Sequence, residues 1–249
     1  LGRYCDLTLF YSSVQRDATL PRKAATDSSI DWVQSFYNSG YHRTSTEIGK
    51  KDQLGEQLMG AHIELHNSYF KVGLTGVATL FDRNIIPATY VYNDNAFNGN
   101  RNYNGGIDFT IRNRRWLLFG EATLCANHAF DSTQWNISPA LLIGSEFIIS
   151  NNHRLSGQLR YYSPTYHSLH ASAIGQNGYP QNEQGGGINY QGVLPLGITA
   201  AASADWFFFP HMKYLVYDAS QGCDYRVMLS RSFPRVKGLS LSVRYRYKE

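Results

Sequence analysis

The chain has 249 residues, enough for a sizeable core, and 17% of them are charged and 14% aromatic. This composition is too aromatic and too weakly charged for a disordered chain, and the formal net charge of +4 does not by itself indicate a nucleic-acid partner. The sequence contains no run of about 18 apolar residues, which excludes a transmembrane helix.

Alternation of apolar and polar residues predicts β-strands along most of the chain. The pattern begins at the first residues and is clearest in these segments: "LGRYCDLTLFYSS" (1–13), "MGAHIELHN" (59–67), "GIDFTIRN" (106–113), "WLLFGEATLCAN" (116–127), "RLSGQLRYYS" (154–163), "LGITAAASADWFFFP" (196–210), "CDYRVMLS" (223–230) and "LSLSVRYRYKE" (239–249). Successive side chains of a strand point to opposite faces, so each segment has an apolar face and a polar face. In the last segment the apolar set ends in Tyr245 and Tyr247, whereas the polar set contains Arg244 and Arg246.

The pattern predicts about eleven strands of roughly nine to fourteen residues, near the length that crosses a bilayer when tilted. Tight turns are predicted at 67–69, 113–115, 151–153, 195–196 and 234–238. Long polar connections are predicted at 13–56, 82–103, 128–135, 164–183 and 210–221. Regular alternation of short and long connections is typical of an up-and-down barrel with short periplasmic turns and long outer loops.

The sequence therefore predicts an all-β fold, an antiparallel up-and-down transmembrane β-barrel of about eleven or twelve strands in a bacterial outer membrane. Residues 1–249 are expected to form this single domain, with the apolar faces against lipid and the polar faces around a wet lumen. Aromatic residues near strand ends, such as Trp116 and Trp135, fit interfacial girdles. The alternative is a soluble β fold with a filled core, but small residues such as Ala202 on the apolar faces favour lipid.

Eleven strands are one fewer than an even-numbered barrel needs, since bacterial single-chain barrels usually have an even number. Either another strand lies within 13–56, with "SIDWVQSFY" (29–37) as the candidate, or the chain is a fragment of a larger barrel. The abrupt start and end of the strand pattern favour a fragment.

Charged side chains on the polar faces form the first candidate site. The predicted lumen charge cluster consists of Glu121, Arg160, Asp205, Arg226, Arg244 and Arg246, with Glu183 near the end of a polar face. Opposed rows of charge in a lumen set ion selectivity, and the alternative is a structural network that fills a narrow barrel. Three of the arginines come from the last two strands and are expected to crowd one wall, with Asp205 and Glu121 as their partners.

The longest predicted loop, 13–56, contains a second candidate. Its polar residues His42, Arg43, Glu47 and Lys50 suggest a plug or constriction that folds into the lumen. The alternative is a solvated outer loop with local ion pairs.

The sequence carries no strong signal of catalysis, so we expect a protein that is not an enzyme and has no cofactor or metal. Histidines and serines are available for a hydrolase inside the barrel, but there is no nucleophile elbow, metal-ligand spacing or phosphate-binding motif. The three cysteines, at positions 5, 125 and 223, are too far apart for a metal motif and are expected to be unpaired.

Five segments resemble a Bacteroidetes outer-membrane family. They are "GYHRTSTEIGKKD" (40–52), "FGEA" (119–122), "LRYYSPTYHS" (159–168), "NEQGGG" (182–187) and "DWFFFPHMKYLVYDASQGCDYR" (205–226). Members of this family carry helix-hairpin-helix repeats, similar to a competence DNA-binding protein, ahead of a C-terminal barrel. The resemblance implies the barrel portion of such a protein. It implies a link to DNA only through the repeats, which are absent from this sequence.

Three functions follow from these predictions. The first is a channel or transport-related pore for small polar solutes or ions, with membrane lipid as its other partner. The second is a structural barrel that binds a partner through its long outer loops, and the third is the hydrolase. An open, charged lumen favours the first function, whereas a lumen packed shut favours the second.

Overall fold

The computed structural model describes residues 4–21, 31–130, 132–233 and 238–249, which form an all-β fold with almost no helix. The long strands are β1 (Cys5–Arg16), β5 (Leu54–His66), β6 (Phe70–Ile85), β7 (Gly99–Arg112), β8 (Trp116–His128), β9 (Trp135–Ser150), β10 (His153–Tyr162), β11 (Glu183–Leu194), β12 (Ile198–Phe209), β13 (Ser220–Ser232) and β14 (Ser240–Lys248). The short elements are β2 (Ala18–Thr19), β3 (Trp32–Val33), β4 (Ser35–Phe36), helix α1 (Ser45–Ile48) and two 3-10 turns (Val91–Asn93 and Pro195–Gly197).

The long strands form one antiparallel sheet in the order β1-β5-β6-β7-β8-β9-β10-β11-β12-β13-β14. Each long strand therefore pairs with the next one along the chain, which confirms the predicted all-β, antiparallel, up-and-down order. The edge strands β1 and β14 run in the same direction, because ten successive antiparallel pairings separate them. In the part of the chain that the structure describes, no helix is long and apolar enough to cross a bilayer.

The connections alternate in length as predicted. The four described short connections lie at one end of the sheet, which we call the short-turn end, and the long ones lie at the opposite, long-loop end. The side chains of Asn67 and Asn113 explain two of the short turns, because each accepts hydrogen bonds from backbone N–H groups two and three residues further on. Of the predicted turn at 234–238, residues 234–237 lie outside the described residues.

The predicted extra strand at 29–37 is not a spanning strand in its described part. Residues 31–37 contain only the two-residue strands β3 and β4. Strand β3 pairs in parallel with the last residues of β6, and β4 pairs with β2. Val33 is fully buried there beside Leu54 and Phe81, so this segment packs at the long-loop end instead of adding a strand that crosses the sheet.

The two faces of the sheet differ as the alternation predicted. One row of register partners runs Ile63, Leu74 and Ile107 across β5, β6 and β7 on the apolar face. The neighbouring row runs Glu64, Gly73 and Asp108 on the polar face. Because facing residues in register point to the same side, the two-residue period of each strand extends over the whole sheet.

The register is strongly staggered from one strand to the next. The row that begins at Asp6, one residue from the short-turn end of β1, reaches β13 at Gly222, only two residues from its long-loop end. The row passes in order through Glu64, Gly73, Asp108, Glu121, Leu142, Arg160, Gly185 and Phe207. A row of register partners therefore does not run parallel to the line through the short-turn ends of the strands, which means that the strands are inclined.

Candidate functional site

The polar face divides into a covered half and an exposed half. Residues 163–182, the connection between β10 and β11, fold back over the long-loop half of this face. Beyond this loop the polar face carries exposed charged side chains, among them Arg226 at the middle of β13 and Arg246 on β14. This arrangement makes the polar face the candidate functional site.

The first part of the 163–182 loop is held by polar contacts with three neighbouring strands. The hydroxyl oxygens of Thr165 and Ser138 on β9 are 2.6 Å apart. The Thr123 hydroxyl on β8 donates to the Tyr166 hydroxyl at 2.9 Å, and the side-chain amide of Asn102 on β7 donates to the carbonyl of His167 at 3.2 Å. The loop therefore passes over β9, β8 and β7 in turn on the polar face.

The next turn of the loop reaches the first two strands of the sheet. The His170 Nε2 atom lies 3.2 Å from a carboxylate oxygen of Glu56 on β5, and Arg16 on β1 lies 3.0 Å from the same carboxylate. Leu169 packs against the buried apolar cluster at the long-loop end. Glu56 is thus a buried carboxylate shared between one strand residue and one loop residue.

The last part of the loop is anchored on a buried charge network. The Glu183 carboxylate accepts hydrogen bonds from the backbone N–H groups of Gln176 and Asn177 at 2.9 and 3.1 Å. Arg160 bridges Glu183 at 2.7 Å and Asp205 at 2.7 and 2.9 Å. The side chains of Arg160 and Glu183 are completely buried, so this ion pair lies where solvent screening is weak.

The wall beneath the loop is polar although it is buried. Thr79, Asn102, Asn127 and Ser138 are all at most 4% exposed. Asn102 forms further hydrogen bonds to Cys125 and Asn104. A permanently dry wall is usually apolar, since each buried polar group must find a partner.

The structure brings the predicted charge cluster together in two groups and leaves one member apart. Arg160 and Asp205 are in direct contact. Arg226 and Arg246 meet on one carboxylate, and Arg244 lies two residues away on β14. Glu121 stands opposite Asp108 in the register and is not part of either group. Arg226 and Arg246 therefore pair with Asp224 instead of the expected Asp205 and Glu121.

The sequence reasoning missed the importance of Glu183 and Asp224. Asp224 accepts hydrogen bonds from Arg226 at 3.1 and 2.5 Å and from Arg246 at 3.1 and 2.7 Å. Asp224 lies two residues before Arg226, so strand alternation alone places both on one face. Glu183 was placed near the end of a polar face, but its contact with Arg160 was not predicted, because it requires the pairing of β10 with β11.

The second candidate, in the predicted loop 13–56, makes only local contacts in the residues that the structure describes. His42 lies 2.6 Å from Asp17, and Arg43 pairs with Glu47 at 3.1 Å within the first turn of α1. Lys50 lies over the ring of Tyr37. These contacts match the alternative of an outer loop with local ion pairs, and residues 22–30 lie outside the described residues. The polar face is covered by the 163–182 loop and, at the long-loop end, by part of 13–56, where Val33 is buried beside Phe81.

One group of side chains has the composition of a metal site. Asp6, Glu64 and His66 bring ligand atoms within 4.8 Å of one another at the short-turn end. The Lys71 ammonium lies 2.9 Å from Glu64 and occupies that carboxylate as an ion pair. In the described ranges no other such group occurs.

The 163–182 loop also contains two titratable side chains whose pKa is shifted by burial. Burial lowers the pKa of His167 to about 4, so the imidazole is neutral in the folded protein. Burial likewise raises the pKa of Tyr166. Both shifts have the same origin, namely that the loop carries these side chains out of solvent.

Comparison with known proteins does not assign the chain to a family. No protein-family model matches it, and no curated protein matches it either.

We expect Arg160→Leu to lower the free energy of unfolding by about 3–5 kcal/mol, because it leaves Glu183 as a buried and unpaired charge. The matched control is Arg154→Leu on the same strand, whose 3.8 Å pair with Glu146 is solvent-exposed and is worth about 0–1 kcal/mol. Chemical unfolding of both variants measures the difference. Equal losses would show that the Arg160 network does not hold the loop.

Stability is expected to fall between pH 6.5 and pH 4 because of His167. Its folded-state pKa lies below its ordinary value, so the unfolded chain takes up the proton first, and stability present above pH 6.5 is lost as the pH falls. The shift corresponds to about 3 kcal/mol. Unfolding titrations across this range should show a flatter dependence for His167→Gln than for the parent.

The same variant keeps the other acid-sensitive groups of the loops. A backbone hydrogen bond from Asp52 lowers the pKa of Asp17, and the Arg43 side chain lowers that of Glu47. Parallel pH profiles for the parent and His167→Gln would contradict the assignment to His167.

Proposed function

We propose that this protein is a bacterial outer-membrane β-barrel whose polar face lines a pathway for polar solutes, with the 163–182 loop obstructing one half of that pathway. The observation that carries the proposal is the solvent exposure of the apolar face of the sheet. Leu9, Ile107, Leu159 and Leu241 are 69, 56, 65 and 62% exposed. Soluble proteins rarely leave an apolar surface of this extent without a partner, whereas lipid covers such a surface.

The distribution of burial supports lipid on the apolar side. In the described residues the buried apolar clusters lie at the long-loop end and include the polar-face residues Tyr162 and Phe81. A soluble β-sandwich buries its apolar faces and exposes its polar ones. This sheet does the reverse, because its own loop covers the polar face.

Two geometric features support a sheet that closes on itself. The stagger of the register from Asp6 to Gly222 is the feature that inclines strands in a barrel. The 163–182 loop also contacts both sides of the sheet order, with His170 at β1 and β5 and Gln176 at Asp205 on β12. In a flat sheet β1 and β12 would be about 38 Å apart, since neighbouring strands are separated by about 4.8 Å.

The contacts of the loop allow it to obstruct the pathway without sealing it permanently. Most of them are hydrogen bonds that involve at least one side chain, and water exchanges for such bonds at a net cost of about 1 kcal/mol each. The polar wall beneath, with Asn102, Asn127 and Ser138, is suited to contact with water when the loop withdraws.

A second candidate function is a docking barrel that conducts nothing. The buried Arg160–Glu183 ion pair favours it, because oppositely charged residues in direct contact close the space between them and leave no water-filled passage. The proposed resemblance to the Bacteroidetes barrels with helix-hairpin-helix repeats is compatible with either function.

The membrane assignment predicts different responses on the two faces. Ala202→Arg on the apolar face is expected to destabilise the protein in lipid vesicles by about 2–4 kcal/mol, because it places a charge in the lipid. Asn189→Arg, on the adjacent strand and the polar face, is expected to cost less than about 1 kcal/mol. Unfolding followed by gel mobility tests this, and equal losses would refute the assignment of the faces.

The pathway predicts that the 163–182 loop limits conductance. Replacing residues 166–174 by Gly-Ser-Gly should raise single-channel conductance in planar bilayers by about twofold or more, because it uncovers the polar wall. The control replaces residues 214–217, which are exposed at the long-loop end, by Gly-Ser. That change should leave conductance as in the parent.

The outcomes separate the two candidate functions. Conductance that is the same in the parent and in both variants would show that the loop does not obstruct the pathway. A folded, membrane-inserted protein that never conducts, even after the loop is shortened, would favour the docking barrel.

A further inference from the structure

Four basic residues lie side by side on the polar face of the last two strands. Arg226 on β13 and Arg244, Arg246 and Lys248 on β14 form what we call the basic strip. Arg226 and Arg246 are direct partners in the register, so their guanidinium groups stand next to each other. The side chains of these two arginines are 57 and 53% exposed.

A single buried carboxylate fixes the orientation of this arginine pair. Asp224 is 1% exposed and accepts two hydrogen bonds from each arginine, through Nε and Nη2 in both cases. A guanidinium group has five N–H donors in a rigid planar fork, so each arginine keeps donors that are directed away from Asp224. The carboxylate therefore fixes both guanidinium groups and leaves some N–H donors of each available to another acceptor.

The acidic residues nearby do not neutralise the strip. Asp224 offsets one of its four positive charges. Asp205, the register partner of Asp224, shares Arg160 with Glu183, so that network keeps one negative charge, and the four positive charges of the strip still exceed the two negative ones. Like charges on adjacent strands repel, and their repulsion is relieved when an anion binds between them.

We propose that the basic strip binds a small oxyanion, a phosphate or carboxylate group, on the exposed half of the polar face. Paired guanidinium forks match the geometry of a group with two or more oxygens, and such charge-assisted hydrogen bonds are stronger than neutral ones. Ser203 is the register partner of Arg226 and places a neutral hydroxyl donor beside the pair. The inference rests on the proposed pathway and names the class of solute that would bind within it.

Binding to the purified full chain in detergent tests the site without requiring passage through a membrane. Isothermal titration with inorganic phosphate at constant ionic strength should show saturable binding to the parent. The double variant Arg226→Gln/Arg246→Gln should bind at least about tenfold more weakly. Arg112→Gln is the matched control, because Arg112 is an exposed arginine of the polar face on β7, away from the strip.

A second arm distinguishes a soluble anion from a lipid headgroup by titrating phosphatidylglycerol in mixed micelles. Saturable binding of either probe that is lost in the double variant and kept in Arg112→Gln supports the site and identifies the source of the oxyanion. Absence of binding by both probes, or equal weakening in the control, overturns it. Unchanged gel mobility of the folded form shows that the double variant is folded, and Lys248→Gln provides a milder variant if it is not.

These outcomes are separable from those of the proposed function. Binding of phosphate by a protein that does not conduct would retain the oxyanion site and reject the pathway. Conductance by a protein that does not bind phosphate or phosphatidylglycerol would retain the pathway and reject the oxyanion site.

Discussion

The two-residue period of the β-strand is the constraint on which the rest of this structure depends. Most long strands carry mainly apolar side chains on one face and mainly polar ones on the other, and the antiparallel register aligns these faces from β1 to β14. A slip of one residue in any pairing would invert a strand and place charges such as Asp108 among leucines and isoleucines. The sorted sheet then needs two different environments, an apolar one outside and a polar one on the other face.

The 163–182 loop provides part of the polar environment from within the chain. Its contacts give Thr123, Ser138 and Asn102 a hydrogen-bond partner, which offsets the cost of removing these groups from water. Individually these bonds are weak, so the loop is held by their number. The exception is the Arg160–Glu183 pair, because loss of one partner leaves the other as a buried, unpaired charge.

Local pattern was sufficient to predict the long strands and the four short turns that the structure describes. Alternation depends only on neighbours in the sequence, and it placed Arg226, Arg244 and Arg246 on one face before any pairing was known. The contact between Gln176 and Asp205 could not be predicted in this way, because it joins a loop without periodicity to β12, a strand that the loop does not connect. The same reason explains why 13–56 was considered as the plug, since length and charge identify a long loop but not the direction in which it folds.

Asp224 shows the same limit at a single residue. It lies on the polar face of its strand but was not in the predicted charge cluster, and the sequence alone gives no reason for two arginines to meet on one carboxylate. The pairing of β13 with β14 supplies that reason by setting Arg246 beside Arg226. Cross-strand chemistry is decided by register, and register is a property of the whole sheet.

Acidic and basic residues of the exposed part of the polar face lie on different strands but at similar distances from the short-turn end. Asp108 lies four residues from the short-turn end of β7, and Glu121 lies five residues from the short-turn end of β8. Arg226 and Arg246 each lie six residues from the short-turn ends of β13 and β14. In the sheet order the acidic pair is six strands from the arginine pair.

If the sheet closes as we propose, strands separated by half the circumference face each other. The acidic pair and the basic strip then stand on opposite walls at similar height, and both precede the 163–182 loop for a solute that enters from the short-turn end. Because water and salt screen charges beyond about 8–10 Å, each wall acts mainly on the solute nearest to it. Anionic groups are then drawn to one wall and cationic groups to the other, so a solute carrying both charges is oriented before it reaches the loop.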